Sequence, residues 1–224
     1  MVLERGRMTE DGIALLRSRV GSYFSIDSYL DVATKDAIRH GADGVGDFKN
    51  PLWRDEEYCR KTRYGSIIAP PWFLYGVCYI TGMRAGGLPG VHAFHSGGDW
   101  LWLAPIKMND IVSATYQPVE IVDKKSEFAG RSLIVYAESV FTNQRDEVVA
   151  KGIGWSIRAE RSAAAEKGKY SSVKYHQYTT EELKRIREET ESEKVRGNVT
   201  RYWEDVQIGE EITPVVKGPL SISN

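Results

Sequence analysis

One break in pattern constrains this chain more than any other feature: the run Gly86-Gly87-Leu88-Pro89-Gly90, which separates a stretch with helical spacing from a long stretch of strand character. On its N-terminal side Trp72, Phe73, Leu74, Val77, Cys78, Ile80 and Met83 make the segment apolar nearly all round. That pattern predicts a buried helix over residues 72–84. Pro70 and Pro71 suit its first turn, where no N–H is needed for intrahelical bonding. On the C-terminal side, residues 99–103, 111–121, 128–141 and 147–158 are rich in Val, Ile, Tyr, Trp and Phe, which reads as four strands. Residues 105–110, 123–126 and 142–146 carry the Pro, Asn, Asp and Ser clusters of turns between them. One buried helix followed by an antiparallel meander is an α+β order.

Ahead of these zones the chain reads as helical from Thr9 to about His40. Thr9, Glu10 and Asp11 before Ile13, Leu15 and Leu16 form a capped amphipathic start. Tyr29, Val32, Ala33, Ala37 and Ile38 follow a near-helical repeat and predict a second helix. A short helix is expected from Asp55 to Thr62. Behind the strands, residues 159–198 are charged and helical, with opposite charges four residues apart in Glu181-Glu182-Leu183-Lys184-Arg185-Ile186-Arg187-Glu188-Glu189.

Composition excludes several classes of function. The formal net charge is −1, so there is no global basic field for nucleic acid or an anionic membrane. No apolar run approaches the roughly 18 residues of a membrane span, and residues 1–7 lack the apolar core of a signal peptide. Two cysteines, Cys59 and Cys78, are too few for a disulfide framework and lack metal-ligand spacing. These features predict a soluble, cytoplasmic protein. No Walker-type or dinucleotide glycine pattern, HExxH or paired-Cys site is present, so neither metal nor redox cofactor is expected.

The stretches Gly46-Asp47-Phe48-Lys49-Asn50-Pro51-Leu52-Trp53-Arg54-Asp55 and Tyr64-Gly65-Ser66-Ile67-Ile68-Ala69-Pro70-Pro71 resemble the signature of MaoC-like, R-specific enoyl-CoA hydratases and dehydratases. Ala104-Pro105-Ile106 with Asn109-Asp110 resembles the same family's turn between strands. The resemblance implies a hot-dog fold, an antiparallel sheet wrapped around a central helix, over residues 1–158. A charged linker with a helix follows at 159–200. Tyr202-Trp203-Glu204-Asp205-Val206-Gln207-Ile208-Gly209-Glu210-Glu211-Ile212 resembles the opening of a second hot-dog domain, so 201–224 is either that opening or a C-terminal extension.

The family's loop supplies an Asp and a His for acid–base chemistry. Asp47 matches the Asp, with Lys49 lengthening the spacing to Asn50 by one residue, and Trp53 stands where the His is expected. Indole cannot transfer a proton near neutral pH. Family members also open the central helix with His-Gly, whose glycine N–H points at the thioester oxygen; Ala69-Pro70 stands there, and proline has no N–H. The resemblance therefore implies the substrate-pocket half of an acyl-CoA hydratase or dehydratase, with catalytic Asp and His on a partner hot-dog domain. The partner is either a second copy in a homodimer or a different subunit or domain. Asp47 is the catalytic candidate, and Asn50, Trp53, Ala69, Pro70, His95 and Gly97 are candidates to line an acyl-CoA thioester.

Blander roles compete for these residues. Trp53 is either substrate-facing or a core plug. Asp47 and Asn50 either line the pocket or cap the short helix. His92 and His95 read as structural histidines, His40 as a surface or C-cap residue, and His176 lies in the charged linker with no partner evident. Trp100 and Trp102 share one sheet face, turned either away from the helix or into an oligomer contact. Lys49, Arg54, Arg60, Lys61, Arg63 and Arg84 could meet CoA phosphates or simply be solvated. Two other functions stay open, a hot-dog thioesterase using Asp47 alone and an acyl-thioester-binding subunit without turnover.

Overall fold

The computed structural model describes residues 4–126, 130–160 and 174–219. The chain forms two compact units: Met1–Val32, Leu74–Pro105 and Asp110–Val173 make the first, and Ala33–Phe73, Ile106–Asn109 and Lys174–Asn224 the second.

The first unit is built on a five-stranded antiparallel sheet of β1 (Phe24–Ser25), β2 (His92–Trp102), β3 (Val112–Ser126), β4 (Gly130–Asn143) and β5 (Val148–Ala159). Their order across the sheet is β1-β3-β4-β5-β2, so the longest strands lie inside and β2 forms an edge. The four predicted strands are present, with two corrections. β2 begins seven residues earlier than expected, because His92–Gly98 carries His, Ser and Gly in place of β-branched residues. Residues 123–126, expected as a turn, continue β3, where Asp123, Lys124 and Lys125 pair with Leu133, Ser132 and Arg131. Their charge reflects an exposed sheet end, not a chain reversal. The expected 142–146 turn is present, with Asp146 at φ 60°, and Phe128 lies outside the described residues.

α1 (Glu10–Ser18) matches its expected capped start, with the Thr9 side chain accepting from Gly12 N. Its Ile13 and Leu16 pack with Ala85, Leu88, Val91, Leu133 and Val135 into one buried cluster. The predicted helix over 72–84 is buried as expected, but it is not continuous. It consists of a 3₁₀ turn at Pro71–Phe73, α4 (Leu74–Val77), an extended stretch, and a second 3₁₀ turn at Gly82–Ala85. The reason is close backbone approach. A Cβ on Gly154 would lie 2.4 Å from the Ile80 carbonyl carbon, and one on Gly82 would lie 2.0 Å from Val135 O. Ile80 sits over Gly98, Gly152 and Gly154, where only hydrogen occupies the Cβ position. Thr81 Oγ1 and Ser156 Oγ share a buried hydrogen bond of 2.9 Å across the same contact. A regular helix, about 10 Å across with side chains, could not lie so near the strands.

The second unit carries α2 (Lys35–Gly44), α3 (Glu56–Arg60) and α5 (Thr180–Glu191). α2 starts later than the apolar spacing from Tyr29 predicted: Thr34 caps it by accepting from Ala37 N, and Tyr29 is fully exposed. Local capping overrode a weak periodicity. α3 is the expected short helix, capped by Asp55. α5 opens with a reciprocal capping box between Thr179 and Glu182, and the expected charge pairs Lys184–Glu188 and Arg185–Glu189 lie on its surface. Beyond a 3₁₀ turn at Trp203–Asp205 the chain turns again at Ile208–Gly209 and forms no further helix or strand to Pro219, with Trp203, Ile208 and Ile212 exposed. No helix among the described residues is long and apolar enough to cross a membrane.

Candidate functional site

The Asp47 loop leaves α2 through Gly46, whose φ of 72° suits glycine, and Asp47 N closes the turn by donating to Ala42 O at 2.9 Å. Asn50 then caps a 3₁₀ turn, Pro51–Trp53, its side chain accepting from Leu52 N at 3.1 Å. Bracing by Asn50 is thus observed, while capping of α3 falls to Asp55 and not to Asp47.

Asp47 has a different partner. Its Oδ2 accepts a 2.6 Å hydrogen bond from Trp53 Nε1. The indole is 7% exposed and meets Trp72 edge to face at 6.0 Å. Trp53 is therefore buried, and its indole N–H ties down the carboxylate. Arg54 holds the loop from behind, donating to Asp43 Oδ1 at 2.6 Å and to Asp47 O at 3.3 Å.

The segment carrying Ala69 and Pro70 joins this loop directly. Ile68 N donates to Leu52 O at 3.2 Å, and Ala69 N is engaged with Ile106 O at 2.8 Å. Pro71, as the start of a 3₁₀ turn, fits its expected place at a helix opening. The structure thus brings Asp47, Asn50, Trp53, Ala69 and Pro70 into one unit. The only proton that the Trp53 position offers to Asp47 is an indole N–H, which hydrogen-bonds but does not titrate.

His95 and Gly97 belong to the first unit. They flank a bulge in β2, where the register with β5 shifts between them. A Cβ on Gly97 would stand 2.2 Å from the Trp155 ring, so packing accounts for glycine there. His95 contacts the Tyr79 ring at 5.0 Å, and its Nδ1 is buried with no hydrogen-bond partner among the described residues.

Other side chains depart from expectation. Trp100 and Trp102 do share a face, stacked at 5.7 Å, but Trp100 Nε1 donates to Tyr75 OH of α4. That face looks toward the helix, not away from it. His176 has a partner after all, with Nε2 3.4 Å from Glu182 Oε1. Five of the suggested phosphate-binding cations are spent locally: Lys49 on the carbonyls of Thr190 and Glu191, Arg54 on Asp43, Arg60 on the Glu56 carbonyl, Lys61 on Glu57, and Arg63 on the Tyr64 hydroxyl. An open groove in the second unit is lined by residues that include Glu189, Glu193, Glu211 and Ile212, and by no sequence-predicted site residue. Among the described residues no group of three or more His, Cys, Asp or Glu is arranged to hold a metal ion.

An antiparallel sheet cradling a short apolar helix is the architecture of a hot-dog domain of the MaoC-like dehydratase class. Residues 19–152 match the family described as "FAS1-like, dehydratase domain region", and the chain belongs to that family. A UPF0336 protein of Streptomyces avermitilis is 25% identical over 143 residues, covering 61% of this chain and 91% of the relative. Two solved structures show the same fold. The ChsH1-ChsH2 complex from Mycobacterium tuberculosis aligns with a TM-score of 0.55 at 15% identity, covering 68% of this chain and 98% of that one. A structure described as a MaoC-like dehydratase gives 0.54 at 19% identity, covering 73% of this chain and 51% of that one.

Proposed function

We propose that the chain is the pocket-forming half of an acyl-CoA hydratase or dehydratase, which adds or removes water across a 2-enoyl thioester with a partner hot-dog domain supplying the proton-transferring Asp and His. One observation carries this reading: in the loop that resembles the family's, the Asp47 carboxylate is hydrogen-bonded to a buried indole at 2.6 Å. Hydration needs a base that takes a proton as water oxygen bonds to the β-carbon, an acid that protonates the α-carbon, and donors for the enolate oxygen. Trp53 can neither take nor give that proton, and Pro70 has no N–H for the enolate. The loop of this chain then serves as a wall of the acyl pocket, with Asn50, Trp53, Ala69 and Pro70 as lining residues. The ChsH1-ChsH2 complex is an assembly of two named components on this fold, which supports a two-domain arrangement here.

Hydration of crotonyl-CoA and longer 2-enoyl-CoAs by the pure chain, alone and mixed with a hot-dog partner that carries the Asp and His, tests the reading. The expected result is no turnover alone and turnover in the mixture. Robust hydration by the chain alone, abolished by Asp47→Asn, would overturn it. Release of CoA thiol without hydration would instead identify a thioesterase.

A further inference from the structure

Helix α5 fully buries none of its residues, Ile186 being its half-buried apolar side chain, so polar contacts are needed to hold it and the segment after it in the second unit. Three polar tethers do so, and all three reach the Asp47 loop or the helix that follows it. Lys49 Nζ donates to the carbonyls of Thr190 and Glu191, at 3.1 and 2.6 Å. These are the last carbonyls of α5, which lack intrahelical partners and carry the negative end of the helix dipole. Lys217 Nζ donates to Gly46 O at 3.0 Å and lies 3.9 Å from Glu193 Oε2. Between them, Asn198 N donates to Tyr58 OH at 2.8 Å. At the neighbouring Gly197, with φ 59°, a Cβ would stand 2.7 Å from the same hydroxyl.

We infer that residues 174–219 are a releasable strap across the Asp47 loop, latched by Lys49 and Lys217. Lys49, the residue that lengthens the loop relative to the family pattern, is thereby explained: the extra position points a cation at a helix C-terminus. Exposed polar contacts are individually weak. A strap held by them opens at a small fraction of the free energy needed to unfold the sheet. Its release frees the backbone at Gly46 and the side chain at Lys49, on either side of Asp47. The latch stands whatever reaction the loop serves; only its bearing on acyl access rests on the reading proposed above.

Hydrogen-exchange mass spectrometry of the full chain, without substrate, tests the strap. Compared with wild type, Lys49→Ala/Lys217→Ala is expected to exchange about tenfold faster in peptides covering 45–54 and 186–199 together. The strands β3 to β5 should stay unchanged, as should a Lys61→Ala control that removes a more exposed pair with Glu57. Lys49→Arg, which keeps a cation within reach of the carbonyls, should exchange close to the wild-type rate. Wild-type exchange over 45–54 in the double variant would overturn the inference, and so would equal acceleration of the strands. Should the double variant fail to fold, Tyr58→Phe removes one acceptor and is read by the same two peptides. Because no substrate is present, failure here leaves the hydratase reading intact, and failure of the hydration assay leaves the strap intact.

Discussion

At the scale of single residues the decisive pair is Asp47 and Trp53. The sequence placed an indole, which has no titratable nitrogen near neutral pH, where the family resemblance implies a histidine. It did not show that the indole N–H would seek out Asp47, since that depends on the 3₁₀ turn capped by Asn50, which swings the ring back over the loop. Lys49 was legible only as an inserted residue, because its partners lie 141 and 142 positions away. Trp53→His is expected to leave hydration of crotonyl-CoA by the isolated chain undetectable. The new imidazole could approach Asp47, but the enolate would still lack the donor that proline removes, a loss on the order of 3 kcal/mol in other enzymes. Steady-state assays of the variant check this, and a large gain of activity would mean that the Ala69-Pro70 turn already stabilises the enolate.

At the scale of elements, strand positions were readable from composition, while the interruption of the central helix was not. Nothing in the apolar run from Trp72 to Met83 distinguishes a helix from a chain pressed flat on a sheet. The information lies in glycines far along the sequence, at 98, 152 and 154, which clear a floor for Ile80. Two glycine substitutions should therefore have opposite signs. Gly154→Ala drives a methyl into the backbone of Ile80 and Thr81 and should destabilise by about 2–3 kcal/mol or more. Gly41→Ala in α2 meets nothing within 4 Å and should stabilise by about 1 kcal/mol through helix propensity. Urea unfolding of both variants decides the matter, and equal effects would contradict the close approach. A third expectation concerns Arg131 of β4, which hydrogen-bonds Asp123 of β3 at 2.7 Å and pairs with Glu10 of α1. The Arg131 guanidinium holds the Asp123 carboxyl below its ordinary value of 3.8. A lowered folded pKa gives stability that is complete above the unfolded value and is lost as pH falls through the folded one. Arg131→Ala should thus lower Tm at pH 7, and the gap from wild type should close as pH falls below the carboxyl's ordinary value of 3.8. A gap independent of pH would show that Arg131 acts through packing alone.

At the scale of the whole molecule, β2 poses the main problem. It lies at the end of the strand order and pairs with β5 on one side only, so a row of backbone donors and acceptors along eleven residues faces outward. Natural edges are commonly blunted by lysine or proline, yet β2 has neither. It presents Phe94, Leu101 and Trp102, each about half exposed, and Leu103 follows directly. Its bulge at Ser96 leaves a regular stretch from Gly97 to Trp102 that can accept another strand. The chain is therefore expected to self-associate, or to bind a partner hot-dog domain, through this edge, covering the exposed rings of Tyr75 and Tyr79 as well. Leu101→Lys/Leu103→Lys should disrupt that pairing without touching the buried cluster around Ile13 and Leu133, because both leucines are exposed in the single chain. Sedimentation velocity should then show an oligomer for wild type and a monomer for the double variant, with unchanged far-ultraviolet circular dichroism. A wild-type chain that stays monomeric at micromolar concentration and binds no hot-dog partner would remove the edge as an interface.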